Sequence, residues 1–351
     1  MDILTDDEFR AIYAGFFDDE PLTYKLIDTS REYNGVKDFR NTFITETSSG
    51  IKRVIKLCEN SFTFPERLKV WQRAIEEYIS LGCYCPRIIA DKSGDFPYVE
   101  YKGHRCTAFA EEYSIYAPLE DRGDESSADV KEPPQIWRDK WLMTARVANK
   151  HFDFTDFPSG YCLFERFCET DKNYEVLDDA LEWKGYADKL PEEFKEQVER
   201  IWQQWIKNRD ELEKVYPSLP TSVFQADLNT TNLLVDENGK FKGVYDFNLC
   251  GKDSFLNYLF RENFDADFDD EIELIRNALA AASEEYTFSK EEREYALMLY
   301  RCLKPLRRVW IMEELLKGGD KEKIKEFLDK TEHYLNTDID FKTYMNGGKV
   351  L

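Results

Sequence analysis

The sequence is poor in histidine and positive charge, and it has no long apolar run; each shortage excludes a class of function. Only three histidines occur among the 351 residues, and none lies in a HExxH pattern. Histidine-based metal chemistry and a Ser-His-Asp triad are therefore disfavoured. The formal net charge of -22 argues against binding to nucleic acid or to anionic membranes, because both need a basic face. The same charge would suit a cationic small substrate.

Targeting and disulfide signals are also lacking. The first residues, MDILTDDEF, are acidic and contain no apolar signal core, and no apolar run reaches the length that spans a membrane. We therefore expect a cytoplasmic protein whose eight cysteines are reduced. Cys83 and Cys85 form a C-x-C pair without a matching second pair, so a zinc site is not expected.

Hydrophobic periodicity divides the chain into two parts. Residues 1–113 show alternating strand patterns and one helix that begins near Pro65, whereas residues 114–351 are mainly helical. The acidic, proline-bounded segment 117–134 is typical of an exposed connection. The predicted helices of the second part cover residues 135–151, 191–215, 270–285, 290–317 and 320–335. The sequence thus predicts an α+β protein with a small N-terminal lobe (1–113) and a larger C-terminal lobe (114–351).

One hairpin in the helical part carries three chemically notable side chains. The stretch FQADLNTTNLLVDENGKFKGVYDFNLCGKD, residues 224–253, contains Asp227, Asn232 and Asp246. Asp and Asn oxygens suit Mg²⁺, which takes a few protein ligands together with phosphate oxygens. A nearby carboxylate that does not bind the metal can accept a proton from a hydroxyl group. This chemistry is what phosphoryl transfer requires.

The turn of this hairpin determines whether Asn232 and Asp246 can share a cation. A three-residue loop, 237–239, with Gly239 in the left-handed conformation would place Asp236 opposite Lys240. Asn232 would then lie opposite Val244, and Asp246 would be its diagonal neighbour on the same face. A two-residue turn would place the two side chains on opposite faces. The metal hypothesis therefore predicts the three-residue loop.

The segment QADLNTTNLLVDENGKFKGVYDF resembles the catalytic hairpin of the aminoglycoside phosphotransferase and choline kinase family, a protein-kinase-like superfamily. The resemblance implies a bilobal kinase-like fold, with Asp227 as catalytic base and Asn232 and Asp246 as Mg²⁺ ligands. Gln225 replaces the usual histidine of the motif. Asn229 occupies the position where protein kinases usually carry lysine, which disfavours a protein substrate.

The resemblance also implies nucleotide-binding residues in the N-terminal lobe. Lys56, in the strand KRVIKLCE, is expected to hold the nucleotide phosphates and to pair with a helix glutamate, for which Glu76 is the candidate. The segment 30–41 contains one glycine, so backbone N–H groups near Arg40 and Asn41 are the candidates for contacting phosphate.

The adenine site is expected in the hinge that follows CTAFAEEYS, with the backbone groups of Glu111, Glu112 and Tyr113 as its hydrogen-bonding edge. Four acidic residues are candidates for binding an ammonium group of the acceptor: Asp153, Asp156, Glu262 and Asp265.

The sequence therefore predicts a kinase that uses ATP or GTP with Mg²⁺ to phosphorylate a hydroxyl group of a small molecule. An aminoglycoside, an amino alcohol and a sugar derivative remain open as acceptors, and the acceptor could be cationic. One alternative is a catalytically impaired, nucleotide-binding regulatory protein. A protein kinase is the third possibility.

Overall fold

A computed structural model describes residues 2–33, 35–120, 133–263, 268–307 and 309–346. In these ranges the chain forms thirteen strands and ten α-helices. The strands are β1 Asp2–Ile3, β2 Pro21–Asp28, β3 Arg31–Tyr33, β4 Val36–Thr47, β5 Lys52–Glu59, β6 Ile88–Ile89, β7 Tyr98–Tyr101, β8 His104–Glu112, β9 Ala117–Pro118, β10 Thr221–Phe224, β11 Leu233–Val235, β12 Phe241–Val244 and β13 Gly251–Ser254. The helices are α1 Asp7–Phe16, α2 Pro65–Ser80, α3 Pro134–Ala148, α4 Glu175–Ala187, α5 Lys195–Val215, α6 Phe255–Arg261, α7 Phe268–Ala282, α8 Lys290–Leu303, α9 Val309–Gly318 and α10 Lys321–Asn336.

The N-terminal lobe is built on one antiparallel sheet with the order β1-β2-β4-β5-β8-β6. Its long strands β4 and β5 are rich in β-branched and aromatic residues that alternate between the two faces, as strand propensity requires. Helix α2 begins with Pro65 and buries Leu68, Trp71, Ile75 and Tyr78. This arrangement agrees with the strands and the helix predicted from the sequence.

Helix α1 was not predicted, and it covers the other face of the sheet. The Asp6 side chain caps it by accepting the Phe9 N–H, with Asp7 and Glu8 in its first turn. Phe9 stacks on Phe43 of β4 at 4.0 Å between ring centroids. The two faces of the sheet therefore pack against different helices, and α1 belongs to a separate small core.

The C-terminal lobe is mainly helical, as predicted, but its helix boundaries differ in one instructive place. The predicted helix 290–317 is two helices, because α8 ends at Leu303, shortly before Pro305, and α9 begins at Val309. Proline cannot donate the backbone hydrogen bond that a continuing helix needs. The predicted α+β class is confirmed, with an antiparallel N-terminal sheet and a mainly helical C-terminal lobe.

Two small sheets inside the helical lobe position the predicted hairpin. Strands β11 and β12 form it, and β9 pairs with β11 from the connection between the lobes. Strands β10 and β13, which precede and follow the hairpin segment, pair with each other. The polar loops at 225–232 and 245–250 are thus closed on both sides by strand pairing. None of the helices in the described ranges is both long enough and apolar enough to cross a membrane.

Candidate active site

The hairpin turn has the predicted three-residue loop, but its register differs by one residue. Gly239 has φ of +71°, and the Asp236 N–H donates to Lys240 O at 3.0 Å. A bulge between Leu234 and Val235 then shifts the pairing, so Leu233 lies opposite Val244. The prediction that Asn232 lies opposite Val244 was therefore wrong.

The extra residue of this bulge is Lys242, and a distant segment fixes it. Tyr84 donates its N–H to Lys242 O at 3.0 Å and accepts the Val244 N–H at 3.0 Å. Gly243 lies so close to this segment that a Cβ atom there would be 1.7 Å from Tyr84 O. Only glycine fits this approach, so a contact between the lobes sets the register of the hairpin.

Two carboxamides orient the Asp227 carboxylate. Asn229 Nδ2 donates to Asp227 Oδ1 at 2.7 Å. Asn232 Nδ2 donates to Asp227 O at 2.9 Å and approaches Asp227 Oδ2 at 3.3 Å. Asp227 itself has φ of +76°, a left-handed conformation that Asp adopts more readily than most residues. The structure therefore brings Asp227 and Asn232 together, and Asn229 joins them as a residue whose orienting role the sequence did not indicate.

Gln225 links the Asp227 loop to the Asp246 loop. The residue is fully buried, and its Nε2 donates to Tyr245 O at 2.9 Å and to Asp246 O at 2.8 Å. Its backbone N–H donates to the Tyr78 hydroxyl at 3.0 Å. Gln225 thus holds the Asp246 loop in place through its side-chain amide, which does not titrate.

The side-chain oxygens of the predicted metal ligands remain available for a cation. Asn232 uses Nδ2 to bind Asp227, and in the described ranges no group donates a hydrogen bond to its Oδ1 or to the Asp246 carboxylate. Asp246 has φ of +60°, at the point where β12 has ended. Among the described residues, no group of three or more His, Cys, Asp or Glu side chains could hold a metal ion. Two protein oxygen ligands fit Mg²⁺ only if phosphate and water oxygens complete its shell.

Lys56 forms an ion pair with Glu111, which was predicted to act through its backbone. Lys56 Nζ lies 2.9 Å from both Glu111 Oε1 and Oε2. Lys56 lies opposite Phe109 in the β5–β8 ladder, so Glu111 is a diagonal neighbour on the same face. Burial opposes the charged form of Lys56, but the carboxylates of Glu111 and Asp246 raise its pKa above the ordinary value. Burial raises the pKa of Glu111, against the effect of Lys56.

The expected Lys56–Glu76 pair is absent from the structure. Glu76 binds Arg87 at 2.8 Å on the exposed side of α2. Gln72, one turn earlier, donates from Nε2 to Ile88 O at 3.0 Å and so ties the helix to β6. The assignment of Glu76 was wrong, because its carboxylate binds Arg87 instead of Lys56. The carboxylate partner of Lys56 comes from the neighbouring strand instead.

The backbone N–H groups of Arg40 and Asn41 are engaged within the N-terminal lobe. The Arg40 N–H donates to Ser30 Oγ at 2.9 Å, and Asn41 lies between its ladder partners Asp28 and Leu57. The expectation that these N–H groups point to a phosphate is therefore not met, because the Ser30 hydroxyl accepts the Arg40 N–H and Asn41 lies within the sheet. Tyr113 follows the end of β8 and is exposed, as a hinge residue would be.

Two cavities adjoin these residues, and we name each after one of its side chains. The Lys56 cavity has a volume of about 90 Å³ and contains Lys56, Glu111 and Asp246 in its lining. The Asp227 cavity has a volume of about 340 Å³ and lies between the two lobes. Three residues line both cavities: Arg40, Phe62 and Asn248.

The acidic side chains of the Asp227 cavity are not those predicted from the sequence. Asp153 is exposed and paired with Lys252, Asp156 lines another cavity, and Glu262 accepts the Leu228 N–H at 3.2 Å. Asp265 lies outside the described residues. Besides Asp38 and Asp227, the described residues that line the cavity include three acids of the C-terminal lobe, which the sequence gave no signal to select: Glu165, Asp171 and Asp178.

Comparison with known proteins gives a family match and a set of solved structures with a similar fold. The model of the phosphotransferase enzyme family, APH, matches residues 30–273. No curated protein matches the chain.

Solved structures of low sequence identity share the fold. A microcompartment-associated aminopropanol kinase is 12% identical, with a TM-score of 0.53, and the match covers 98% of this chain and 99% of the other. An aminoglycoside phosphotransferase from Alicyclobacillus acidocaldarius is 14% identical, with a TM-score of 0.52 and coverage of 93% and 95%. An amicoumacin kinase is 12% identical, with a TM-score of 0.51 and coverage of 96% of each chain.

Proposed function

Since this chain belongs to the phosphotransferase enzyme family, we propose that it transfers the γ-phosphoryl group of ATP, or of GTP, to a hydroxyl group of a small molecule. The proposal rests on the arrangement of three side chains, those of Asp227, Asn232 and Asp246. Asp227 is oriented by Asn229 and Asn232, while the side-chain oxygens of Asn232 and Asp246 accept no hydrogen bond within the described ranges. Phosphoryl transfer requires an oriented base next to oxygen ligands that are available to bind Mg²⁺.

Each residue has a role that follows from its position. Asp227 would accept a hydrogen bond from the acceptor hydroxyl and then its proton. Asn232 and Asp246 would hold Mg²⁺, which when bound neutralises phosphate charge. Lys56, fixed by Glu111, would bind the nucleotide phosphates, and the backbone after β8 at Tyr113 would meet the base. The amicoumacin kinase was solved with AMP-PNP, Ca²⁺ and Ami, which supports a nucleotide and a divalent ion.

The lining of the Asp227 cavity favours an acceptor that carries an amino group. Glu165, Asp171 and Asp178 would give such a group carboxylate partners on the C-terminal lobe. The names of the aminopropanol kinase and the aminoglycoside phosphotransferase fit the same chemistry. An amino alcohol, an aminoglycoside and an amino sugar are therefore the acceptors to test. We also propose a division into lobes at residues 113 and 114 and a cytoplasmic location.

A panel of acceptors tests the function. Purified protein with Mg²⁺ and ATP or GTP would be incubated with amino alcohols, aminoglycosides, sugars and a generic protein substrate. We expect a phosphate ester of at least one small acceptor, detected by ³¹P NMR and mass spectrometry. A Mg²⁺-nucleotide melting shift without transfer to any of them would contradict the proposal and favour a regulatory protein. The comparisons give no support to that alternative, and phosphorylation of the protein substrate alone would favour a protein kinase.

Replacing each of two glutamates, Glu111 and Glu76, by glutamine tests which of them is the partner of Lys56. We expect Glu111→Gln to lower kcat/KM for the nucleotide by about tenfold to a hundredfold, because Lys56 loses the charge that holds it against the sheet. Glu76→Gln is the matched control, since it removes an equal charge from an exposed ion pair with Arg87, and it should change kcat/KM by less than about twofold. Steady-state kinetics and melting curves of both variants would decide. An equal loss in both variants, or a loss in Glu76→Gln alone, would contradict the assignment.

A further inference from the structure

Arg40 lies at the boundary between the two cavities. It lines the Lys56 cavity, which contains Asp246, and the Asp227 cavity, which contains the proposed base. If the function proposed above holds, the phosphoryl group passes from the first cavity to the second. Arg40 is the positively charged member of the shared lining, whose other members are Phe62 and Asn248.

A buried carboxylate and an aromatic ring hold the Arg40 side chain in place. Arg40 Nε donates to Asp38 Oδ1 at 2.9 Å, and Nη2 lies 2.5 Å from Asp38 Oδ2. The guanidinium carbon lies 4.8 Å from the centre of the Phe62 ring. Asp38 is itself buried and accepts Asn60 Nδ2 at 3.1 Å, with Arg31 Nε at 3.6 Å. Each of these contacts reduces the freedom of the guanidinium, so the cation is placed before any ligand binds.

This mode of attachment leaves one edge of the guanidinium for a ligand. A guanidinium has five N–H donors, and the side-on pair with Asp38 uses the edge formed by Nε and Nη2. In the described parts of the chain no acceptor binds Nη1. The edge formed by Nη1 and Nη2 matches two oxygens of a phosphoryl group. The side chain keeps 19% of its surface exposed, which leaves it open to such a contact.

The two cavities are predominantly acidic, so a cation is needed to stabilise a phosphoryl group there. Among the described residues, seven acidic side chains but only four basic ones (Arg31, Lys37, Arg40 and Lys56) line the two cavities, and Lys56 is already paired with Glu111. A transferring phosphoryl group carries charge on its equatorial oxygens, and preplaced cations stabilise that charge. We infer that Arg40 is a catalytic residue that binds the phosphoryl group during transfer. The role rests on the proposed function, but it is separate from the phosphate contact expected of Lys56.

The chain supplies a matched control for this role. Arg53 also pairs with an aspartate, Asp19, through Nη2 at 3.2 Å, and its guanidinium also lies over a phenylalanine ring, Phe17, at 4.6 Å. Arg53 lies outside both cavities. Replacing Arg53 by lysine therefore removes similar packing and hydrogen bonds in the same sheet without touching the site.

The test compares Arg40→Lys with Arg53→Lys. With the acceptor found in the panel, we expect Arg40→Lys to lower kcat by at least about a hundredfold and to change either KM by less than about fivefold. Arg53→Lys should retain kcat within about twofold. An equal kcat in Arg40→Lys and wild type, an equal loss in both variants, or a loss confined to KM would overturn the role.

A binding measurement keeps this role testable even if no acceptor is found. Mg²⁺-ADP with aluminium fluoride mimics the phosphoryl group in transfer, and its affinity would be measured beside that of Mg²⁺-ADP. We expect Arg40→Lys to weaken the aluminium fluoride complex by at least about thirtyfold and Mg²⁺-ADP by less than about threefold. Equal weakening of both ligands, or no weakening, would overturn the role of Arg40. Failure of every acceptor in the panel would count against the proposed function alone.

Discussion

Asp227→Asn is expected to lower kcat by roughly 10²–10⁴-fold, with little change in nucleotide KM, because it removes the base that accepts the hydroxyl proton. Asparagine preserves the shape of the side chain and tolerates the left-handed backbone, which has φ of +76° at this position. It can still accept the hydrogen bond from Asn229 Nδ2. The loss would therefore report on proton transfer rather than on folding. Steady-state kinetics with the acceptor identified in the panel would measure it.

Asp153→Asn is the control for that substitution. Asp153 is exposed and pairs with Lys252 on the surface, so its loss should leave kcat within about twofold. Turnover by Asp227→Asn at the wild-type rate would remove Asp227 from its proposed role. A similar fall in both variants would attribute the effect to the change in charge rather than to the base.

Local chemistry made much of the fold predictable, and the metal hypothesis made the hairpin loop predictable. Alternating β-branched residues in β4 and β5, and Pro65 with an apolar stripe in α2, are signals that act within a few residues. The three-residue loop at Gly239 was predicted from the metal hypothesis, because a glycine with positive φ fits a two-residue turn equally well. Helix α1 carried such a signal too, in the capping residue Asp6 and the acidic first turn, and it could have been found.

Contacts between distant segments made the rest unpredictable. The register shift in the hairpin depends on Tyr84, which lies in a different lobe and binds Lys242 and Val244. The pairing of Lys56 with Glu111 depends on which residues of β5 and β8 lie opposite each other. The acids of the Asp227 cavity come from residues 165–178, a segment that ends in α4 and faces residues of the N-terminal lobe, such as Arg40 and Phe62, across the cavity. None of these contacts leaves a periodic pattern in the sequence.

The geometry that the register shift produces bears directly on the metal hypothesis. The three-residue loop is present, yet the shift places Asn232 opposite Tyr245, whose N–H donates to Asn232 O at 3.2 Å. Asp246 then leaves the strand with φ of +60° instead of continuing it. The proposal that Asn232 and Asp246 share one ion therefore depends on the loop conformation that Gln225 holds, and no longer on strand alternation. A substitution at Asp246 tests it most directly.

Asp246→Asn is expected to lower kcat by roughly 10²–10³-fold and to raise the Mg²⁺ concentration needed for half-maximal activity by at least about tenfold. The substitution removes one anionic ligand of a hard cation but keeps an oxygen at the same place. Asparagine accepts the left-handed backbone, so the Gln225 Nε2 bond to the carbonyl of residue 246 should persist. Activity measured across a Mg²⁺ titration would separate lost affinity from lost catalysis.

Asp236→Asn in the same hairpin is the matched control. Asp236 pairs with Lys242 at 3.0 Å near the turn, so its neutralisation changes the charge of the hairpin by the same amount as Asp246→Asn. Its Mg²⁺ dependence should equal that of the wild type, because its carboxylate lies outside the linings of both cavities. An unchanged Mg²⁺ dependence in Asp246→Asn would remove Asp246 from the proposed ligand set. An equal shift in both variants would mean that the net charge of the hairpin, rather than a bound ion, controls activity.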